Sequence, residues 1–170
     1  MQHRIYRTAK PFVKWVGGKT QLLGDIERTL PSDFSQKKNV IYVEPFVGGG
    51  AVLFWILQQF PNIQKAVIND INPHLITTYK VIKEQPYKLI EQLKELQEKY
   101  IPLGEEDRKE YYLNKRDIYN ASSLSEIETA ALFIFLNRTC FNGLYRVNSR
   151  IGIFSMGNIE FSFRIYSIQP

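Results

Sequence analysis

The stretch VIYVEPFVGGGAVLFWIL, Val40 to Leu57, reads as a strand, a glycine turn and a helix in direct succession. VIYVEPF is rich in β-branched and apolar residues at successive positions, the pattern of a strand buried on both faces of a parallel sheet. Gly48 to Gly50 then permit a turn that side chains would obstruct, and AVLFWIL continues as a helix. A second buried strand is expected at AVIND, from Ala66. Asn72-Pro73 starts the next helix, with asparagine as cap and proline in the first turn, and the helix runs to about Glu84. Strand, glycine turn, helix, strand and helix make a βαβ unit, expected to be right-handed and to sit in a doubly wound sheet.

Upstream, Pro11 to Trp15 is short and extended, and Gln21 to Leu30 carries Leu22, Leu23, Ile26 and Leu30 at helical spacing before Pro31. Downstream of Pro86 the pattern changes. Tyr87 to Tyr100, Glu105 to Asn120 and Ser125 to Asn137 each read as helices, the last the most apolar, and no strand pattern interrupts them. The expected division is therefore 1–85 as an α/β portion, 86–150 as a helical insertion or second small domain, and 151–170 as a divergent tail.

The 170 residues, 44% of them hydrophobic, are enough for a buried core. A formal net charge of +5 leans toward a polyanionic partner such as nucleic acid. Cys140 is the single cysteine, so no internal disulfide forms, which fits a reducing cytoplasm. No apolar stretch approaches the roughly 18 residues of a membrane span. The longest run, AALFIFL from Ala130, suits a buried helix, and the start MQHRIYRTAKPF lacks the apolar centre of a signal peptide. A cytoplasmic protein with no membrane role is expected. His3 and His74 lie far apart and, with one cysteine, offer no metal-ligand cluster. Cys140 also has no histidine near it in sequence that would activate it as a nucleophile.

KWVGGKT, Lys14 to Thr20, ends like a phosphate-binding loop, but G-x-x-x-x-G-K-[ST] needs glycine where Val13 stands. The loop after the first strand is not the dinucleotide pattern G-x-G-x-x-G either, since Leu53 occupies its last position. It carries Glu44 at the strand tip, and a carboxylate there suits a ligand with a positive amine rather than a bare pyrophosphate. Asp70 ends the next strand, where an acid grips an adenosine ribose through its hydroxyls. Each feature alone has a plain reading: glycine serves turn geometry, and Asp70 caps INPHL. Together in one βαβ unit they point to an adenosyl ligand that carries an amino group. S-adenosylmethionine fits that description better than NAD.

Four segments, PFVKWVGGKTQLL, YVEPFVGGGAVLFWIL, INDINPHLITTYKVIK and FLNRTCFNGLYRVNSR, occur in this order over roughly residues 8 to 150. In them the chain resembles the Dam-type adenine-specific DNA methyltransferases. The resemblance implies an α/β fold, a partial Rossmann-like S-adenosylmethionine-dependent methyltransferase sheet with an inserted helical target-recognition domain. It implies methyl transfer from S-adenosylmethionine to the exocyclic amino group of adenine in double-stranded DNA. It further implies that Trp15 packs near the cofactor, that Lys19 makes a polar contact, that Asp70 holds the ribose, and that Glu44, Phe46 and Gly48 line the methionine end.

The segment NRTCFNGLYRVNSR also has chemistry of its own. Arg138, Arg146 and Arg150 suit phosphates or a guanine edge, Phe141 and Tyr145 suit stacking or wedging between bases, and Asn142-Gly143 is a turn that exposes them. By itself it also reads as a basic surface loop with two core aromatics. With the resemblance it reads as the loop that contacts DNA around a flipped adenine.

Dam-type enzymes carry a catalytic tetrapeptide [DNS]-P-P-[YFW], which hydrogen-bonds the adenine amino group and stacks on the base. The 170 residues contain no Pro-Pro pair, and after Arg150 IGIFSMGNIEFSFRIYSIQP loses the family pattern. No catalytic residue is therefore assigned. These residues alone are expected to bind S-adenosylmethionine weakly, to transfer no methyl group, and to leave the sheet with an open edge. Two alternatives stand beside this reading. One is a split methyltransferase, in which a second polypeptide supplies the missing strands and the tetrapeptide. The other is a non-catalytic DNA-binding module indifferent to S-adenosylmethionine.

Overall fold

A computed structural model describes residues 8–121 and 123–140. Within that range the chain forms two compact units, 8–12 with 16–71 and 13–15 with 72–140. The division follows packing: the helix after Asn72 lies against the last helix of the chain's described part and so groups with the helical residues.

In the first unit a 3-10 turn over Lys19–Leu22 leads into α1 (Leu23–Thr29). Strand β1 (Val40–Glu44) is followed by α2 (Ala51–Gln59) and β2 (Ile63–Ile68). The strands pair in parallel, with Ile41 opposite Lys65 and Glu44 opposite Ile68. Parallel pairing requires a crossover such as the one through α2, since a tight hairpin joins only antiparallel strands. Val47, Val52, Leu53 and Ile56 form the buried apolar set of this unit. Phe60 meets both Phe34 and Trp55 edge-on, with centroids 4.9 and 5.8 Å apart, which fastens the end of α2 to the loop before β1.

The strands are not buried on both faces as their composition suggests. Ile41, Val43 and Val67 are 62%, 59% and 41% exposed. Val40, Tyr42 and Glu44 point the other way and are covered in part or whole. Burial on both faces needs a packed layer on each side of the sheet, and among the described residues the face that carries Ile41 and Val43 is left largely open.

The second unit is helical: α3 (Pro73–Glu84), α4 (Pro86–Tyr100), α5 (Glu105–Ala121) and α6 (Glu126–Thr139). The Asn72 cap is the one read from sequence; the cap at Ser125 was not singled out there. Asn72 Oδ1 accepts the Leu75 N–H at 3.0 Å, with Pro73 in the first turn. Ser125 and Glu128 form a reciprocal capping box at the start of α6. Helix α6 is the centre of the unit, with α3, α4 and α5 all packed on it. It buries Ala130, Ala131, Leu132, Phe133, Phe135 and Leu136, residues that surround its axis rather than line one stripe. Tyr100 and Tyr111 both meet Phe135 edge-on, and Val81, Leu89, Ala130 and Ala131 form a further apolar cluster. Among the described residues no helix is long and apolar enough to cross a membrane.

One polar residue is fully buried near the end of this apolar helix. Asn137 Oδ1 accepts the Lys14 N–H at 2.8 Å, and Asn137 Nδ2 donates to the Lys14 carbonyl at 2.9 Å. The side-chain amide thus pairs with the backbone of 13–15 as a neighbouring strand would, across 123 positions of sequence. This explains why three residues of the amino-terminal segment belong to the helical unit.

His74, in the first turn of α3, is hydrogen-bonded through Nδ1 to the Tyr119 hydroxyl of α5. Burial lowers the His74 pKa below its ordinary value of 6.5. The folded ring therefore binds a proton less readily than the unfolded one.

Two outcomes follow from the helical unit. Asn137→Ala, which removes both hydrogen bonds from a buried site, lowers stability by about 2–3 kcal/mol, read as a shifted urea midpoint. The His74 contribution is complete above about pH 6.5 and is lost as the pH falls through that value toward the lowered folded-state pKa. Melting temperatures measured from pH 7 to pH 5 therefore decline more steeply for the wild-type chain than for His74→Gln.

Candidate functional site

The parallel pairing does not stop at the last strand residues. The Asn69 N–H donates to the Glu44 carbonyl at 2.9 Å, and the Val47 N–H donates to the Asn69 carbonyl at 3.0 Å. Both strand tips are thereby tied together just before the glycine turn. Gly48 has φ 52° and Gly50 φ 82°, left-handed values that a Cβ makes costly, and Gly50 is the cap of α2. The sequence Gly48-Gly49-Gly50 is thus what lets β1 turn into α2 within a few residues.

Both candidate acids hold this loop. Asp70 Oδ2 accepts the Gly48 N–H at 3.0 Å. Glu44, 6% exposed, accepts the Lys19 ammonium on Oε1 at 2.9 Å, and Lys19 also donates to the Phe46 carbonyl. The second Glu44 oxygen, Oε2, accepts the Tyr42 hydroxyl at 2.8 Å. A buried carboxylate is tolerated when it is paired and hydrogen-bonded, and Glu44 meets both conditions. Burial and the bond to Glu44 push the Tyr42 phenol well above its ordinary range, so it remains a donor. Phe46 and Ile71 stand 73% and 94% exposed next to the two acids in sequence, apolar side chains left to solvent where the strands end.

Lys19, Glu44, Phe46, Gly48 and Asp70 therefore all belong to the first unit: Glu44 ends β1, Phe46 and Gly48 lie in the loop after it, Asp70 follows β2 by two residues, and Lys19 comes from the turn before α1. Trp15 belongs to the second unit, where its ring is tilted 45° against Phe133 with centroids 6.1 Å apart. Asp70 does not cap the following helix; Asn72 does. Arg138 lies in the last turn of α6 and is half-buried. Phe141, Asn142, Tyr145, Arg146 and Arg150 lie outside the described residues. Among the described residues no group of three or more histidine, cysteine or acidic side chains is arranged to hold a metal.

Two polar residues of these units were not singled out by sequence. Tyr42 precedes Glu44 by two positions and so shares its strand face, which was the available signal. Asn137 interrupts an apolar run, and a polar residue at a core position needs a partner.

A parallel β-α-β start with a glycine turn and an acid at each strand tip, followed by helices, is a mixed α/β architecture consistent with a methyltransferase. The chain belongs to the D12 class N6 adenine-specific DNA methyltransferase family, whose model matches residues 15–162. It is 49% identical over 143 residues to the type II methyltransferase M.MjaIII of Methanocaldococcus jannaschii, covering 83% of this chain and 49% of that protein. It is 42% identical over 144 residues to the type II methyltransferase M1.LlaDCHI of Lactococcus lactis, covering 83% and 45%. It is 36% identical over 141 residues to the DNA adenine methylase of Haemophilus influenzae, covering 83% and 44%. The chain thus spans about half the length of these relatives.

The glycine turn gives a contrast that can be measured. Gly50→Ala forces a Cβ onto a left-handed residue and lowers stability by about 1–2 kcal/mol. Gly24→Ala, inside α1, puts its Cβ in ordinary contact with the end of the Arg28 side chain and raises stability by about 0.5–1 kcal/mol. Chemical denaturation of the two variants beside the wild type checks the sign of each.

Proposed function

We propose that the first unit binds S-adenosylmethionine and that the protein serves methylation of the adenine amino group in double-stranded DNA. The observation that carries this reading is the joining of two parallel strand tips through Asn69, with Asp70 bonded to the Gly48 N–H of the glycine turn that follows Glu44. A buried carboxylate that already accepts a primary ammonium suits the α-ammonium of the methionine part. Asp70, at the second tip, suits the ribose hydroxyls. Gly48 and Phe46 suit the close approach and the apolar contact that the same ligand needs. Trp15 and Lys19 are assigned to the cofactor by the family segment they lie in.

When bound, the cofactor supplies a methyl group on a positive sulfonium, which is electrophilic without further activation. The part left to the protein is to bind, orient and exclude water. We assign the cofactor to residues 1–85 and DNA target recognition to 86–150, with Arg138, Phe141, Asn142, Tyr145, Arg146 and Arg150 as DNA contacts and 151–170 as a divergent tail. A cytoplasmic setting accords with this activity.

No tetrapeptide of the form [DNS]-P-P-[YFW] occurs in these 170 residues, and none of them is assigned a catalytic role. On this reading the 170 residues alone bind the cofactor weakly and transfer no methyl group. The exposed Ile41, Val43 and Val67 favour a covering layer supplied by further polypeptide, so the split-enzyme reading is kept beside the first.

Calorimetric titration of the purified chain with S-adenosylhomocysteine, the demethylated cofactor, tests the assignment. The wild type binds, and Asp70→Ala binds about tenfold or more weakly. Labelled S-adenosylmethionine leaves duplex DNA unlabelled. DNA affinity that falls steeply with salt, in a chain that binds no nucleoside ligand, is the result expected of a non-catalytic DNA-binding module instead.

A further inference from the structure

Both oxygens of the Glu44 carboxylate are committed, but to partners of different kinds. Tyr42 comes from β1 itself, two positions earlier on the same strand face, so strand geometry fixes its hydroxyl at Oε2. Lys19 comes from the 3-10 turn before α1, at the end of a four-carbon stem, with 35% of its side chain exposed. Its ammonium has a second acceptor, the Phe46 carbonyl, that does not depend on Glu44. One partner is held by the sheet; the other is a flexible cation at the solvent margin.

Resting on the cofactor reading above, we propose that Tyr42 is a positioning residue for the ligand's amino-acid end. Its hydroxyl occupies Glu44 Oε2 and leaves Oε1 as the single exchangeable ammonium seat, which Lys19 holds until a ligand ammonium takes it. Two features support the exchange. The seat is already matched to a primary ammonium in charge and in hydrogen-bond donors. The buried acid also requires a cation there, so a ligand that lacks an ammonium has nothing to offer in return for Lys19. Tyr42 then acts on specificity, not on the nucleoside: it sets which Glu44 oxygen the ligand finds.

The test compares two ligands by calorimetry. S-adenosylhomocysteine carries the amino acid; 5′-methylthioadenosine carries the nucleoside and thioether without it. For Tyr42→Phe the affinity for S-adenosylhomocysteine falls about tenfold or more, while that for methylthioadenosine changes less than about twofold. For Lys19→Met, which vacates the seat, the preference for S-adenosylhomocysteine over methylthioadenosine rises. Circular dichroism at the titration temperature confirms that both variants are folded. Equal loss of both ligands in Tyr42→Phe makes the tyrosine merely structural and overturns the proposal. A fall in preference for Lys19→Met overturns the exchange. A wild-type chain that binds neither ligand overturns the cofactor reading itself, and the role of Tyr42 with it.

Discussion

The hydrogen bonds that run past the ends of the two strands govern the rest of the first unit. In a parallel pair both carboxyl ends fall on the same edge, and the backbone of Asn69 bridges Glu44 and Val47 across the gap. With the tips tied, the chain has few ways to proceed from Val47 into α2, and the ones available need left-handed backbone at Gly48 and Gly50. The Gly48 N–H then faces Asp70, and the Glu44 side chain turns into the covered side of the sheet. The parallel strands bring the backbone of Glu44 and Asn69 into contact, and Asp70, the residue after Asn69, bonds the first glycine of the turn.

Much of this was legible in the residues themselves. Caps and breakers are local: Asn72-Pro73 and the three glycines mark element boundaries within a few residues, whereas the equally local cap of Ser125 with Glu128 was not singled out. Glu44 at the end of β1 follows from the same punctuation, whereas β2 runs from Ile63 to Ile68 rather than from Ala66, so Asp70 falls two residues past its end. What composition could not tell is which layers surround a strand. VIYVEPF has the content of a strand buried on two faces, but content describes the surroundings a strand suits, and Ile41 and Val43 lie exposed. The grouping of α3 with α6, and of 13–15 with α6, was hidden for a different reason. Both depend on contacts between distant residues, and periodicity within one segment says nothing about its partner.

Asn137 illustrates how such a distant contact is fixed. Helix α6 is apolar around most of its circumference, so burial alone leaves its rotation and its partner strip weakly specified. A buried amide is different: its donor and acceptor must both be met, and a backbone residue presenting its N–H and C=O side by side meets both. Lys14 does so. The single amide therefore registers the strip 13–15 against the helix in a way that more leucine could not. Trp15, next along that strip, packs on Phe133, one helical turn back from Asn137.

The choice of lysine at position 19 carries a similar argument for the first unit. An arginine facing Glu44 would grip the carboxylate with a planar fork, two parallel bonds that a small ligand amine cannot match. It would neutralise the acid well and release it poorly. A lysine presents one compact charge with three donors on a flexible stem, and a ligand ammonium is its chemical equal. Replacing one with the other leaves the buried carboxylate's charge balance unchanged, so the proposed exchange avoids the cost of an unpaired buried acid at every stage except the transfer itself. A site whose resting cation resembles the ligand's is protected against collapse when empty and is not closed against filling. On the proposed cofactor reading Tyr42 holds the other oxygen throughout, so that the acid keeps one orientation whichever ammonium it faces.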